Sequence, residues 1–253
     1  METNCYIFLG TPECGRRAVL ADLIRDGLAG ATTLYIAEPE RNDEAEKPLA
    51  DVPELAVKSW KFDDDGNVEL SDDGAENVVL LADGEDDFVC QIEAFSALAV
   101  RKGWHVARVV TIVDCVFASL VPESADLLKA CIHFSDCVLL ANRGNVNNAW
   151  VKAFQDGYKK DCFPCTFELV KKNRVDNPAR VLVDEPRRLT MIFDEDRDPV
   201  YDMEFDAENL PDEPFDLVNA ADPYFETTDS GARKIALPKI ADLLDEYDRV
   251  KKL

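Results

Sequence analysis

The chain has 253 residues, enough for one large hydrophobic core, and its 51 acidic against 28 basic residues give a formal net charge of −23. Nucleic acids and anionic membranes are bound by clusters of Lys and Arg, so this charge argues against both as partners. No apolar run approaches the roughly 20 residues of a membrane span. Eight Cys without a disulfide spacing or a secretion signal predict reduced thiols in the cytoplasm.

The charge is distributed unevenly along the chain. Residues 38–93 hold 19 acids and 4 bases (net −15), and residues 181–253 hold 20 acids and 9 bases (net −11). Residues 1–37 and 94–180 carry only −1 and +4. The acidic segments are typical of solvated surface. They also fit a module that binds a basic protein partner, in which case binding would weaken with salt.

Strand and helix patterns alternate from the N-terminus onward. An apolar strand at residues 5–9 precedes a helix over 15–28, where apolar residues recur at helical spacing. The pattern predicts further strands at 32–37, 57–62, 67–70, 78–81, 106–113 and 137–141, and further helices at 92–101, 125–133 and 148–158. This alternation predicts an α/β fold with a mainly parallel sheet and helices on both faces.

The pattern changes near residue 178, which predicts a boundary between an α/β domain of residues 1–178 and an appendage of residues 179–253. Inside the first domain, residues 38–77 are predicted to be an acidic insert with a hairpin turn at 63–66. The appendage is small and acidic, either α+β or extended. Its strand-like pieces are at 181–185, 189–195 and 200–205, and a final helix is predicted at 238–251.

The sequence Gly10-Thr-Pro-Glu-Cys-Gly-Arg-Arg17, between the first strand and helix, has the frame of a phosphate-binding loop. Such a loop reads G-x-x-x-x-G-K-[ST]; its backbone N–H groups and Lys bind phosphates, and its hydroxyl binds Mg²⁺. Here Arg16 replaces the Lys and Arg17 replaces the hydroxyl residue, and an arginine offers no ligand to Mg²⁺. An ordinary strand–turn–helix is the alternative. The predicted phosphate-binding residues are Gly10, Thr11, Cys14, Gly15, Arg16 and Arg17.

A second polar motif, Asn142-Arg143-Gly144-Asn145, follows the strand at 137–141. It has the spacing of the guanine-binding motif N-K-x-D, with Arg143 in place of Lys and Asn145 in place of Asp. An amide is a poorer partner than a carboxylate for the donor edge of guanine, so a preference for guanine should be weakened. A polar loop without a ligand is the alternative.

In this order the motifs resemble the CobW-like (cobalamin-synthesis-type) family of P-loop GTPases and metal chaperones. Residues 107–115 (ARVVTIVDC) are similar to that family's DGVVTVVDA, and residues 133–146 (HFSDCVLLANRGNV) to its FADVVLLNKTDLV. Residues 67–74 (NVELSDDG) and 78–87 (VVLLADGEDD) are similar to VVELSNGCICC and VVIETSGLADP. The resemblance covers residues 5–155 and implies a P-loop NTPase-like fold that binds GTP with Mg²⁺.

The positions that carry the family's chemistry differ in this chain. The acid of the Mg²⁺-binding strand falls on Leu81; Asp83 is the nearest carboxylate, and Asp114 is the other one placed to hold Mg²⁺ through water. The C-x-C-C metal site is absent, because no Cys lies between Cys14 and Cys90. We therefore expect a degenerate member that binds a nucleotide or phosphate at most and has a regulatory or binding role without efficient GTP hydrolysis.

Two other functions stay open at this point. One is an acidic protein-interaction module with an empty phosphate loop. The other is metal trafficking through new ligands, with Cys162 and Cys165 as a C-x-x-C pair that needs two further ligands to hold zinc. The sequence leaves open the base of a bound nucleotide, the use of Mg²⁺ and the oligomeric state.

Overall fold

The computed structural model describes residues 3–12, 14–71, 75–194 and 222–252. Its strands are β1 (Asn4–Leu9), β2 (Thr32–Ala37), β3 (Leu55–Phe62), β4 (Val68–Leu70), β5 (Asn77–Leu81), β6 (His105–Asp114), β7 (Cys137–Ala141) and β8 (Thr166–Leu169). Its α-helices are α1 (Arg16–Gly27), α2 (Asp43–Glu46), α3 (Phe88–Lys102), α4 (Cys115–Leu120), α5 (Ala125–His133), α6 (Asn148–Lys160), α7 (Pro178–Val181) and α8 (Ile240–Val250). Short 3₁₀ turns lie at Glu38–Glu40, Lys47–Leu49, Pro122–Ser124 and Arg143–Asn145.

All eight strands form one sheet in the order β4-β3-β2-β5-β1-β6-β7-β8. Neighbouring strands are parallel except β3 and β4, which form an antiparallel hairpin with Trp60 opposite Leu70 and Phe62 opposite Val68. The predicted α/β fold with a mainly parallel sheet is confirmed. The continuous apolar runs of β5 and β7 suit strands that are covered on both faces.

Helices cover both faces of the sheet. Along β1, Cys5, Ile7 and Leu9 join one core with residues of α3, α5 and α8, whereas Tyr6 and Phe8 join a second core with α1. Side chains alternate in this way because successive residues of a strand point to opposite faces. A third cluster lies between β7, α5 and α6. No helix in the described ranges is both long and apolar enough to span a bilayer.

The described C-terminal residues pack against the sheet. Arg188 donates to the Asp136 carboxylate at 2.9 Å, with both side chains almost fully buried, and the second Asp136 oxygen accepts the Arg187 N–H at 2.6 Å. Helix α8, where the final helix was predicted, buries Ile240 and Leu243 in the first core. The boundary at 178/179 stays a prediction, and parts of residues 179–194 and 222–252 pack against the core of the sheet.

Several local predictions differ from the structure. Within residues 38–77, β3 pairs with β2 from Leu55 to Trp60 and belongs to the main sheet. Residues 181–185 and 189–194 contain no strand, since α7 ends at Val181 and turns follow it; the piece at 200–205 lies outside the described residues. Strand β8 and helix α4 were not predicted, because each is short and lacks a clear hydrophobic period.

Candidate functional site

The polar motifs of the sequence meet where β1, β5, β6 and β7 end. Strands β5 and β2 lie on one side of β1, and β6 and β7 lie on the other, so consecutive chain segments diverge at β1. In open α/β sheets such a change of direction leaves a crevice at the carboxyl ends of the strands, where ligands bind. The loop between β1 and α1 lies at this point.

Two glycines shape the loop between β1 and α1. A Cβ atom on Gly10 would lie 2.9 Å from the carbonyl oxygen of Ile112, so only glycine fits beside β6. Gly15 has a left-handed backbone (φ 78°) immediately before the first turn of α1. The sequence frame therefore folds as strand, tight loop and helix.

The Arg16 side chain turns back beneath this loop. Its Nη1 donates to the carbonyl oxygens of Gly10 and Ala82, both at 2.8 Å, and its Nη2 pairs with the Glu40 carboxylate. The side chain is only 3% exposed. Arg16 thus crosslinks the ends of β1 and β5 and directs its charge toward an internal partner.

Glu40 occupies the centre of the charge cluster. Its carboxylate accepts the Gly84 N–H at 2.8 Å, pairs with Arg16, and lies 3.6 Å from Nη2 of Arg17; its side chain is 10% exposed. Burial lowers the pKa of Arg17, although Glu40 opposes this shift. These donors, a backbone N–H and two arginines, are of the type that bind a phosphate in an open loop. Here an internal carboxylate accepts them.

Close packing of this cluster leaves some polar atoms unsatisfied. Within the described residues, the Nε atoms of Arg16 and Arg17 and one oxygen of Glu40 are buried without a hydrogen-bond partner. A Cβ atom on Gly84 would lie 2.8 Å from Nη2 of Arg16 and from the Gly10 oxygen, so a glycine is required there. The cluster is therefore closely packed, but some of its buried polar atoms have no hydrogen-bond partner among the described residues.

Asp114 and Asn142 meet on the other side of the loop. One Asp114 oxygen caps α4 by accepting the N–H groups of Val116 and Phe117 at 2.8 and 3.2 Å. The other oxygen accepts the Asn142 amide at 2.8 Å. Both oxygens of Asp114 thus already hold hydrogen bonds within the protein.

The rest of the second motif stays at the surface. Asn142 has a left-handed backbone (φ 54°) that starts a 3₁₀ turn at Arg143–Asn145, and the Asn145 side chain is exposed. Asn142 and Asn145 are both exposed, and Asn142 is connected to the crevice by its hydrogen bond to Asp114.

Helix α8 lies across the mouth of the loop. Its Tyr247 ring meets the edge of Phe117 at a centroid distance of 5.4 Å. The space left between α8 and the loop is about 170 Å³, below the ~300 Å³ at the small end of ligand pockets. Its lining includes four carboxylates, those of Glu85, Asp114, Asp245 and Asp248.

Asp83 lies in a different cavity from Asp114. It follows β5 and faces the β3 side of the sheet, in a cavity of about 340 Å³ with Trp60 and Phe62. Burial raises the pKa of the Asp83 carboxyl, and the charge of Glu40 adds to this shift. The two carboxylates that the sequence offered for Mg²⁺ therefore line separate cavities.

The cysteines are free thiols. Burial raises the pKa of the Cys14 thiol to about 11, which makes it a packing group beneath the loop. Cys162 is exposed, whereas burial raises the pKa of Cys165 to about 12. Across the described ranges no three His, Cys, Asp or Glu side chains come together in a way that could hold a metal ion.

Two important parts of the site could not be found from sequence motifs. Glu40 lies in an acidic segment with 19 acids, so nothing distinguished it from its neighbours. The position of α8 over the loop depends on contacts more than 120 residues apart in sequence, between Tyr247 and Phe117. The sequence predicted a helix at 238–251 but not where it would dock.

Comparison with known proteins gives little further information. No protein-family model and no curated protein matches the chain. Among solved structures, it is similar to the Zn(II)-bound YjiA GTPase from E. coli, with 13% identity over 74% of this chain and 67% of that chain and a TM-score of 0.44. A Zn(II)-bound triple mutant of YjiA GTPase gives 13% identity, coverages of 77% and 69%, and a TM-score of 0.47. The α/β assignment therefore follows from the sheet topology itself.

Proposed function

We propose that this chain is a degenerate, CobW-like member of the P-loop proteins, with a binding or regulatory role and without efficient nucleotide hydrolysis. The observation that carries the proposal is the Arg16 side chain. It stands at the position of the loop Lys, yet it donates to Gly10 and Ala82 and pairs with Glu40. Its charge is therefore already compensated inside the protein.

Phosphoryl transfer depends on positioning and on charges that stabilise the transition state. A loop Lys and a Mg²⁺ ion supply most of that charge in P-loop enzymes. Here Arg17 offers no Mg²⁺ ligand, Asp114 uses both oxygens in hydrogen bonds, and Asp83 lies in another cavity. Among the described residues, the candidates that the sequence offered for hydrolysis therefore lie apart, which supports the proposal.

Nucleotide binding at this loop would require two rearrangements. A phosphate would have to replace the Glu40 carboxylate, and α8 would have to move from a mouth that carries four carboxylates. Like charges at the mouth oppose the approach of a polyphosphate. We therefore propose that GTP or another nucleotide binds weakly at most, and that Mg²⁺ is not a resident cofactor.

Phosphate release from Mg-GTP, Mg-ATP and Mg-XTP tests the proposal. We expect wild type to match the Arg17→Ala variant, so that any trace activity is a contaminant common to both preparations. Turnover near 1 s⁻¹ in wild type, ordinary for phosphoryl-transfer enzymes, that is lost in Arg17→Ala would overturn the proposal. A well-behaved P-loop GTPase run in parallel establishes that the assay detects such rates.

A second candidate function is the binding of a basic protein partner. It is favoured by the concentration of charge in residues 38–93, which carry 19 acids and 4 bases. Carboxylates also line both cavities at the loop edge of the sheet. Such binding would weaken steeply as ionic strength rises. The eight free thiols fit a cytoplasmic location for this role.

A further inference from the structure

The cavity beside Asp83 has two kinds of wall. Phe62 forms a partly exposed apolar wall at the end of β3, and Trp60, packed edge to face against it at 5.3 Å, lies almost fully buried behind it. Glu38, Asp83 and Asp86 form an acidic rim opposite them. The volume of about 340 Å³ falls within the ~300–1,000 Å³ of pockets that bind small groups.

The protein holds Asp83 firmly in this position. Gln91, which is fully buried, accepts the Asp83 N–H at 2.7 Å and donates to its carbonyl oxygen at 2.9 Å. The carboxylate itself accepts one hydrogen bond, from the Glu85 N–H at 3.0 Å. The backbone is thus fixed while the carboxylate keeps most of its accepting capacity for another group.

The carboxylates of the acidic rim are not paired with a cation of the described residues. In the described part of the chain, no Lys, Arg or His forms an ion pair with Glu38, Asp83 or Asp86. Lys61 also lines the cavity, but its amine lies 3.6 Å from Glu69 on the neighbouring strand. The cavity therefore presents net negative charge beside aromatic surface.

We propose that this cavity receives an arginine side chain from a basic protein partner. An arginine has an apolar stem that can lie along Phe62 and a planar guanidinium that can pair with the Asp83 carboxylate. Its guanidinium also stacks favourably on aromatic rings. The inference rests on the proposed binding role and names the chemical group that the partner contributes.

Other ligand classes fit the cavity less well. An anion would meet three carboxylates, and a neutral group would leave them uncompensated. A metal ion would need a set of ligands that the described residues do not form. Burial raises the pKa of Asp83, and a guanidinium beside it would remove that cost.

Fluorine NMR of protein labelled with 5-fluorotryptophan offers a direct test. The chain has three Trp, so the spectrum contains three signals, and a Trp60→Phe variant assigns the one in the cavity wall. The probe is L-argininamide, titrated at low ionic strength. Its neutral isostere L-citrullinamide is the matched ligand, and Asp64→Asn, an exposed hairpin residue, is the matched control for Asp83→Asn.

We expect a saturable shift of the Trp60 signal alone, with a dissociation constant of about 1 mM or tighter. Asp83→Asn should weaken this binding at least about tenfold, whereas Asp64→Asn should retain it and citrullinamide should give no shift. Equal responses to argininamide and citrullinamide, or an undiminished response in Asp83→Asn, would overturn the inference. Nucleotide turnover in the same preparations would count against the proposed function without affecting this result.

Discussion

Two neighbouring regions at the same edge of the sheet use their charges in opposite ways. In the loop, Arg16 and Arg17 converge on Glu40, and little charge is left for a ligand. In the cavity beside Asp83, three carboxylates lie beside an apolar wall, and none of them forms an ion pair with a cation of the described residues. The phosphate-loop frame of residues 10–17 therefore does not by itself make this loop a ligand site. The loop pairs its charges internally, whereas the cavity beside Asp83 is where we propose that a partner's cation binds.

Removing the cation from the loop should have the largest effect. In Arg16→Met, two carbonyl oxygens lose their donor and Glu40 stays buried beside Arg17 alone. We expect the free energy of unfolding to fall by about 3–5 kcal/mol, measured by urea denaturation. The control is Arg25→Met on the same helix, where a partly exposed pair should cost at most about 1 kcal/mol. Equal losses of unfolding free energy in the two variants would mean that the Arg16 contacts do not stabilise the loop.

Opening the mouth of the loop should have the next largest effect. Tyr247→Ala removes the ring that packs on Phe117 and leaves a cavity beneath α8. We expect a loss of about 2–4 kcal/mol of unfolding free energy. Asp248→Ala, exposed on the same helix, should change stability by less than about 0.5 kcal/mol. If Tyr247→Ala were as mild as its control, α8 would not be docked over the loop.

Neutralising Glu40 should leave the loop with unpaired positive charges, just as the cavity beside Asp83 has unpaired negative charges. In Glu40→Gln, Arg16 and Arg17 lose their charged partner, and we expect a loss of about 2–3 kcal/mol. Sulfate should then raise the melting temperature more than it does in wild type, because the free cations gain an anion. Glu44→Gln, an exposed substitution with the same charge change, should respond to sulfate like wild type. An identical response in Glu40→Gln would contradict the pairing.

Neutralising Asp83 in the cavity beside β3 should have the smallest effect on the free energy of unfolding. Burial raises the folded-state pKa of Asp83, so its ionised form costs stability above that pKa, and the cost disappears as the carboxyl is protonated. Asp83→Asn should therefore be as stable as wild type or up to about 1 kcal/mol more stable at pH 7. This advantage should shrink as the pH falls toward the ordinary Asp value of about 4. If the stability advantage of Asp83→Asn over wild type grew as the pH fell, the pKa of Asp83 would not be raised in the folded state.

The sheet was largely predictable from the sequence. The apolar runs of β1, β5, β6 and β7 are buried on both faces, so their pattern is strong, and a Gly-containing turn indicated the β3–β4 hairpin. The edge strand β8 was missed, since its four residues are only partly covered. Between β2 and β3, the predicted acidic insert contains short helices that were not predicted, because local capping by Asn42 is a weak signal.

The candidate site was predictable only as a location. The two loop glycines and the end of β6 lie at the carboxyl edge of the sheet, where the sequence predicted the site, and backbone geometry requires the glycines there. The state of the loop was not predictable, because the partner of Arg16 is Glu40, an acid among many in an acidic segment. Asp83 and Asp114 line separate cavities because their side chains leave two strand ends in different directions. The spacing of residues in the sequence does not predict those directions.

Equilibrium binding of Mg-GTP to the wild-type protein, followed by isothermal titration calorimetry, tests the central claim most directly. A loop already filled by the Arg16–Glu40 pair should give no saturable binding tighter than about 1 mM. A Mg²⁺-dependent dissociation constant of about 1 μM would contradict it, since a nucleotide would then displace Glu40 and α8 with ease.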